Sequence, residues 1–161
     1  MKSMQTTLKE VQLVEKIIKN DVVKEKTIKN LYKHIFKSNG KKIRSKLNLI
    51  ASSANRKKKD RIKLAAIIEL LHTATLVHDD VVDDSSFRRG KESVNKLWSN
   101  AHGVLIGDYI YSKAFMYMVD IGNQEILNEL SRATNDISQG ELIQLDAINN
   151  ENISLNKLKK I

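Results

Sequence analysis

The chain has no cysteine and no proline, few glycines and few aromatic residues, and each shortage excludes something. Without cysteine there are no disulfides and no thiolate metal sites, and residence in a reducing cytoplasm is the expectation. Without proline, and with six glycines in 161 residues, helices run uninterrupted, which argues for an all-α chain. No apolar run approaches the roughly 18 residues that would cross a bilayer. The polar start, Met1 to Glu10, lacks the apolar core of a signal peptide. Aromatics are only 5% of the residues, which leaves little to stack on bases, so nucleic acid is not an expected partner.

What is present points elsewhere. A hydrophobic content of 41% is ordinary for a folded protein, and the length suits a single all-α domain over residues 1–161. The formal net charge of +9 favours an anionic partner: a diphosphate, nucleic acid or an acidic membrane surface. Leu8, Val11, Val14, Ile17 and Ile18 recur at helical spacing, as do Val22, Ile28, Leu31, Tyr32 and Ile35 in a second segment ending at Asn39-Gly40. A third helix is expected from Lys41 to Ala54. The basic run from Arg56 to Lys63 reads as a solvated face at the start of the next helix. From Ile62 to Val82 the pattern is apolar nearly all round, which marks a central, buried helix. Residues 85–96 read as a charged loop, followed by helices over about 101–119 and 123–148. Asn149-Asn150-Glu151-Asn152 breaks the pattern, and Ser154 is placed to cap a last short helix.

The chemistry concentrates in His78-Asp79-Asp80-Val81-Val82-Asp83-Asp84-Ser85-Ser86-Phe87-Arg88-Arg89-Gly90. On a helix, Asp79 and Asp83 lie one turn apart on one face, where unpaired like charges repel by a few tenths of a kcal/mol. A cation reached by both turns that repulsion into a binding site. Hard carboxylate oxygens suit Mg²⁺, which keeps several waters and completes its shell with substrate phosphates. Arg88 and Arg89 add planar, bidentate donors for those phosphates. Isolated acids of this kind are more often a solvated patch. Here, however, they end an apolar run, Leu70 to Val77, and His72 falls within roughly 20° of Asp79 around the axis.

The segment from Gly40 to Gln144 resembles the all-trans polyprenyl diphosphate synthases, the head-to-tail prenyltransferases. Asp79 to Gly90 is similar to their first aspartate-rich motif with its trailing Arg-Arg-Gly. Gly40-Lys41-Lys42-Ile43-Arg44 resembles their basic element, and Glu69 to His78 the helix leading into the acids. Gly107-Asp108-Tyr109 and Gly140-Glu141-Leu142-Ile143-Gln144-Leu145 resemble later landmarks.

The resemblance implies a helical bundle of the isoprenoid synthase type and a Mg²⁺-dependent condensation of isopentenyl diphosphate with an allylic diphosphate. Asp79 and Asp83 would hold the metal, and Arg88 the allylic diphosphate. Lys41, Arg44, His72 and Arg89 would hold the extender's diphosphate. Asp80 and Asp84 are secondary candidates that add local negative charge. In the family, the residues four and five places before the first motif aspartate form the floor of the product pocket. Here they are Thr75 and Ala74, both small, which implies a long, octaprenyl-like product of the kind that becomes a quinone tail, made by a cytoplasmic enzyme near the membrane.

The departures also carry information. Ser45 stands where the family has proline, Asn39 replaces the first glycine of the basic element, and Lys42 its central arginine. No second pair of adjacent aspartates follows Asp84, so the resemblance covers an amino-terminal half, cut before the carboxy-terminal helices. That leads to an expectation of exposed apolar surface, and of a homo-oligomer or a complementing carboxy-terminal chain. Two alternatives remain open: an inactive interaction or regulatory subunit of a synthase, or a basic helical module binding nucleic acid or peripherally to membrane.

Overall fold

A computed structural model describes residues 4–20, 22–37, 40–54, 57–148 and 154–159. The stop expected at Asn39, the connector residues Asn55 and Arg56, and the break at 149–152 lie outside them. The chain divides into two compact units, Met1–Ile121 and Gly122–Ile161.

The first unit opens with α1 (Met4–Asn20), which buries Val11, Val14 and Ile18 along one stripe. The expected second helix begins later than its apolar spacing suggests. It is α2 (Lys26–Phe36), because the Glu25 side chain accepts a hydrogen bond from the Ile28 N–H at 2.8 Å and fixes the start there. Val22 therefore precedes the helix. Leu31, Tyr32 and Phe36 face inward, and the Tyr32 hydroxyl donates to the Ile18 carbonyl at 2.9 Å, tying α2 to the end of α1. The third helix, α3 (Ile43–Ala51), starts two residues after the expected Lys41 because Lys42 takes a left-handed conformation, φ 51° and ψ 40°.

The central helix is α4 (Lys58–Val82), which buries Ile62, Ala65, Ala66, Ile67, Leu70, Leu71, Ala74 and Val77. The Arg56–Lys63 run is not wholly a solvated face. Arg61 is only 3% exposed and is ion-paired to Glu10 of α1, itself 2% exposed. Burial of one charge demanded burial of its partner.

The 85–96 segment is more ordered than the loop expected from its charge. A hairpin of β1 (Phe87–Arg88) and β2 (Lys91–Glu92) pairs antiparallel, Phe87 opposite Glu92 and Arg88 opposite Lys91. A short helix α5 (Val94–Leu97) follows. Polar bonds stitch the segment to the end of α4: Ser93 Oγ donates to Ser85 O at 2.6 Å, and Asn95 Nδ2 donates to Asp80 O at 3.0 Å. On the other side, His34 Nε2 meets the Glu92 carbonyl at 2.8 Å and the His34 ring lies edge-on to Trp98.

Helix α6 (Asn100–Ile121) lies antiparallel against α4. Three pairings set that alignment: Val81 with Gly103, His78 with Gly107, and Lys63 with Asp120. A Cβ at Gly103 would come within 2.5 Å of Val81 Cγ2, and one at Gly107 would collide with the His78 ring. Small residues at these two places allow the helices to approach closely.

The second unit holds α7 (Gln124–Ala147), whose Asn123 cap accepts from the Ile126 N–H at 2.9 Å, and the short α8 (Leu155–Leu158) just after Ser154. Gln144 is exposed on α7. Among the described residues, no helix is long and apolar enough to cross a membrane.

Candidate functional site

The site forms where α3, the carboxyl end of α4 and the hairpin meet within the first unit. A cleft of about 400 Å³ is lined by Gly40, Lys41, Lys42, Arg44, His72 and Arg89, with Ile43 and Glu69 completing it. A smaller neighbouring cavity shares Lys42, Glu69, His72 and Arg89 and adds Asp80 and Arg88. All four residues expected to hold the extender's diphosphate, Lys41, Arg44, His72 and Arg89, thus line one cleft.

Backbone geometry serves this gathering. Among the described residues, the non-glycine residues with left-handed φ are Lys42, Asp84 and Arg89, and all three lie here. Each costs about 1–2 kcal/mol against ordinary helical backbone, and strain of this sort persists only where surrounding contacts hold it. At Arg89 the unusual turn sends the guanidinium across Gly40, where a Cβ would come within 2.5 Å of Nη1. A glycine there lets the hairpin's arginine reach the basic element of α3.

His72 Nε2 lies 3.2 Å from Arg44 Nη1. Burial pushes the imidazole pKa down, and the Arg44 charge adds to that, with Arg89 and Arg88 contributing and Glu69 opposing. At neutral pH the ring is therefore uncharged and offers Arg44 an acceptor.

The aspartates divide by role. Asp79 is half-buried on the last turn of α4. Asp83 is not a helical residue but the cap, φ −85° and ψ 1°, so the face shared with Asp79 ends there. Asp83 and Asp84 are exposed. Asp80, a secondary candidate by sequence, is 4% exposed and accepts from Arg88 Nε at 2.6 Å. Burial pushes its carboxyl pKa up; Arg88 offsets this only in part, and the Asp83 charge adds to the rise. Arg88 is therefore braced by Asp80 before any ligand arrives. Asp79 and Asp83 do not line either cleft; they sit beside it at the helix end. Ala74 is fully buried and Thr75 half-buried, its hydroxyl bonded back to the His72 carbonyl at 2.9 Å, and neither lines a cleft.

Among the described residues, no group of three or more histidine, acidic or cysteine side chains is placed to hold a metal. The donor set at the end of α4 is instead two carboxylates, Asp79 and Asp83, with Asp80 already taken by Arg88. Two hard oxygen donors fit Mg²⁺, which is bound through one or two carboxylates, waters and a substrate's phosphates rather than in an all-protein cage.

Sequence reasoning missed Glu69, Lys42 and Ser45 as functional neighbours. Glu69 is 6% exposed, and its carboxylate accepts from Ser45 N at 3.2 Å, Ser45 Oγ at 2.5 Å and Lys42 Nζ at 3.3 Å. The available signal was an acid embedded in the apolar stretch of α4, which must find cations or donors to be buried at all.

A mainly helical fold of this kind has clear counterparts among solved structures. The chain superposes on a decaprenyl diphosphate synthase from Rhodobacter capsulatus with TM-score 0.88 and 34% identity, covering 97% of this chain and 49% of that one. It also superposes on a polyprenyl synthase from Caulobacter crescentus, complexed with calcium and isoprenyl diphosphate, with TM-score 0.89 and 33% identity over 97% and 48%. The class is that of the all-α isoprenoid synthases.

The polyprenyl synthetase family model matches residues 25–161, and the chain belongs to that family. Among curated relatives, it is 44% identical over 122 residues to an all-trans-nonaprenyl-diphosphate synthase of Rhodobacter capsulatus, covering 74% of this chain and 38% of the relative. It is 41% identical over 128 residues to octaprenyl diphosphate synthase of Escherichia coli, covering 79% and 40%. The chain thus spans about two fifths of the length of these curated relatives.

Proposed function

We propose that this chain supplies the extender-binding cleft and the first metal-binding acids of a long-chain all-trans polyprenyl diphosphate synthase. The observation that carries the reading is the gathering of Lys41, Arg44, His72 and Arg89 in one cleft beside the acids that end α4. Isopentenyl diphosphate binds with its diphosphate in that cleft, where guanidinium forks match phosphate oxygens. Arg88, held in place by Asp80, grips the diphosphate of the allylic substrate. Asp79 and Asp83 would hold Mg²⁺, which would supply Lewis-acid stabilisation of the departing diphosphate.

The chemistry follows from that placement. The allylic carbon–oxygen bond breaks and its electron pair leaves with the diphosphate, whose growing charge Arg88 stabilises. The double bond of the extender attacks the resulting carbocation, and loss of a proton restores a double bond in the lengthened chain. The small side chains at Ala74 and Thr75, the family's chain-length positions, are the ground for reading the product as long.

The test is a product assay. Purified chain is incubated with labelled isopentenyl diphosphate, farnesyl diphosphate and Mg²⁺, and the extracted prenyl products are sized. Long labelled products that disappear with EDTA are the expected result. A folded chain that gives no product and also fails to bind isopentenyl diphosphate in calorimetry overturns the proposal.

A further inference from the structure

The start of α3 carries an arrangement that direct contact with a diphosphate does not explain. The first N–H groups of a helix have no acceptor within it and need one from elsewhere. Lys42, at the cap position, provides none. The acceptor comes from the neighbouring helix: Glu69 Oε1 takes both the N–H and the hydroxyl of the fully buried Ser45. The other oxygen of the same carboxylate, Oε2, holds the Lys42 ammonium at 3.3 Å. Burial pushes the Glu69 pKa up, but the Ser45 bonds and the Lys42 charge outweigh it and hold the group below the ordinary range, so it is ionised at neutral pH.

One carboxylate therefore clamps both sides of the strained left-handed turn at Lys42. Drawing Lys42 inward leaves Lys41 and Arg44, on either side of it, exposed and lining the cleft with His72 and Arg89.

We propose that Glu69 is a positioning residue for the anion cleft: through Ser45 and Lys42 it fixes the turn that presents Lys41 and Arg44, so its negative charge raises the cleft's affinity for a diphosphate. The inference rests on the diphosphate reading given above. It makes an unusual prediction of sign. A carboxylate near an anion site repels the anion, so as a simple charge its removal strengthens binding. As a positioning group, its removal weakens binding.

Inorganic pyrophosphate is the probe, titrated calorimetrically into the folded chain. Arg44→Ala tests the reading itself: unchanged affinity shows that the cleft is not a diphosphate site. With that effect established, Glu69→Gln weakens binding about tenfold, as the loss of charge-assisted bonds to a buried partner predicts. Ser45→Ala removes the hydroxyl donor to Glu69 and leaves the backbone intact, so it provides the same test if Glu69→Gln does not fold. It weakens binding to a similar degree, and the double variant is no worse than the poorer single one, because the two changes break one unit. Leu70→Ala, in the adjacent core, lowers the melting temperature but leaves pyrophosphate affinity unchanged, which separates positioning from general loss of stability. Tighter or unaltered binding in Glu69→Gln or Ser45→Ala, with Arg44→Ala still weakened, overturns the proposal and leaves the diphosphate reading intact.

Discussion

The two ends of α4 both bury ionic groups, but they bury them differently. Near the amino end, Arg61 and Glu10 are both almost wholly enclosed and face each other. From the middle of the helix to its carboxyl end, each enclosed acid holds a partner that is more open. Glu69 pairs with Lys42, and Asp80 pairs with Arg88, whose side chain remains 34% exposed. A closed pair is shut away from solvent and ligand and contributes to the scaffold. A half-open pair orients a cation and leaves some of its donors for something else. The difference separates structural charge from working charge without reference to any relative.

Breaking each end tests that separation. The largest effect belongs to the closed pair: Arg61→Ala takes the guanidinium away from the buried Glu10 carboxylate and costs about 3–5 kcal/mol. Denaturant unfolding would register this, while pyrophosphate affinity of the folded fraction at the far end stays the same. A loss of affinity matching the loss of stability would erase the distinction. At the open end, Asp79→Ala lowers the rate of Mg²⁺-dependent product formation about a hundred- to a thousandfold, with thermal stability little changed. A large fall in melting temperature instead would move Asp79 into the scaffold class.

The smallest effect concerns His72 and sharpens the comparison through pH. Its folded pKa lies below the free value of 6.5, so the unfolded chain binds the proton more readily. The stability this contributes is fully present above pH 6.5 and is lost as the pH falls through the lowered folded value. His72→Gln removes that part of the slope in melts run from pH 7.5 to 5.5. A diphosphate in the cleft reverses the preference, because its charge favours the imidazolium. Binding therefore takes up a proton, which appears in wild type but not in His72→Gln as a dependence of calorimetric heat on buffer ionisation enthalpy.

Much of the helical architecture was legible because apolar spacing and the lack of proline speak locally. Val11, Val14 and Ile18 announce their buried face by periodicity, while the stretch from Ile62 to Val82 announces its central place by being apolar nearly all round. The cap at Glu25 and the left-handed turn at Lys42 moved helix starts, since the bonds that fix them outrank apolar spacing at the ends. The 85–96 segment looked like a loop because its charges hid the short hairpin, whose order depends on Asp80, Ser85, Ser93 and Asn95 meeting in space. In the site, the cationic residues and the acids were readable from motif and spacing. Their braces were not: Ser45 and Glu69 lie on different helices, and no local pattern shows that they meet. Arg61 was misread as solvated for the same reason, since its partner Glu10 sits on α1.

The seam between α4 and α6 sets a tolerance on everything above. His78, immediately before the first acid, lies flat against Gly107, and its Nε2 is 3.3 Å from Asp108 and 3.2 Å from the Val104 carbonyl. Val81, between the acids, rests on Gly103 in the same way. These contacts act like the teeth of a rack, so α4 cannot creep along α6 by a fraction of a turn without a side chain striking backbone. The aim of the acids is thus stored partly in two missing side chains on another helix. A single methyl group at position 107 would redirect them without altering any charged residue.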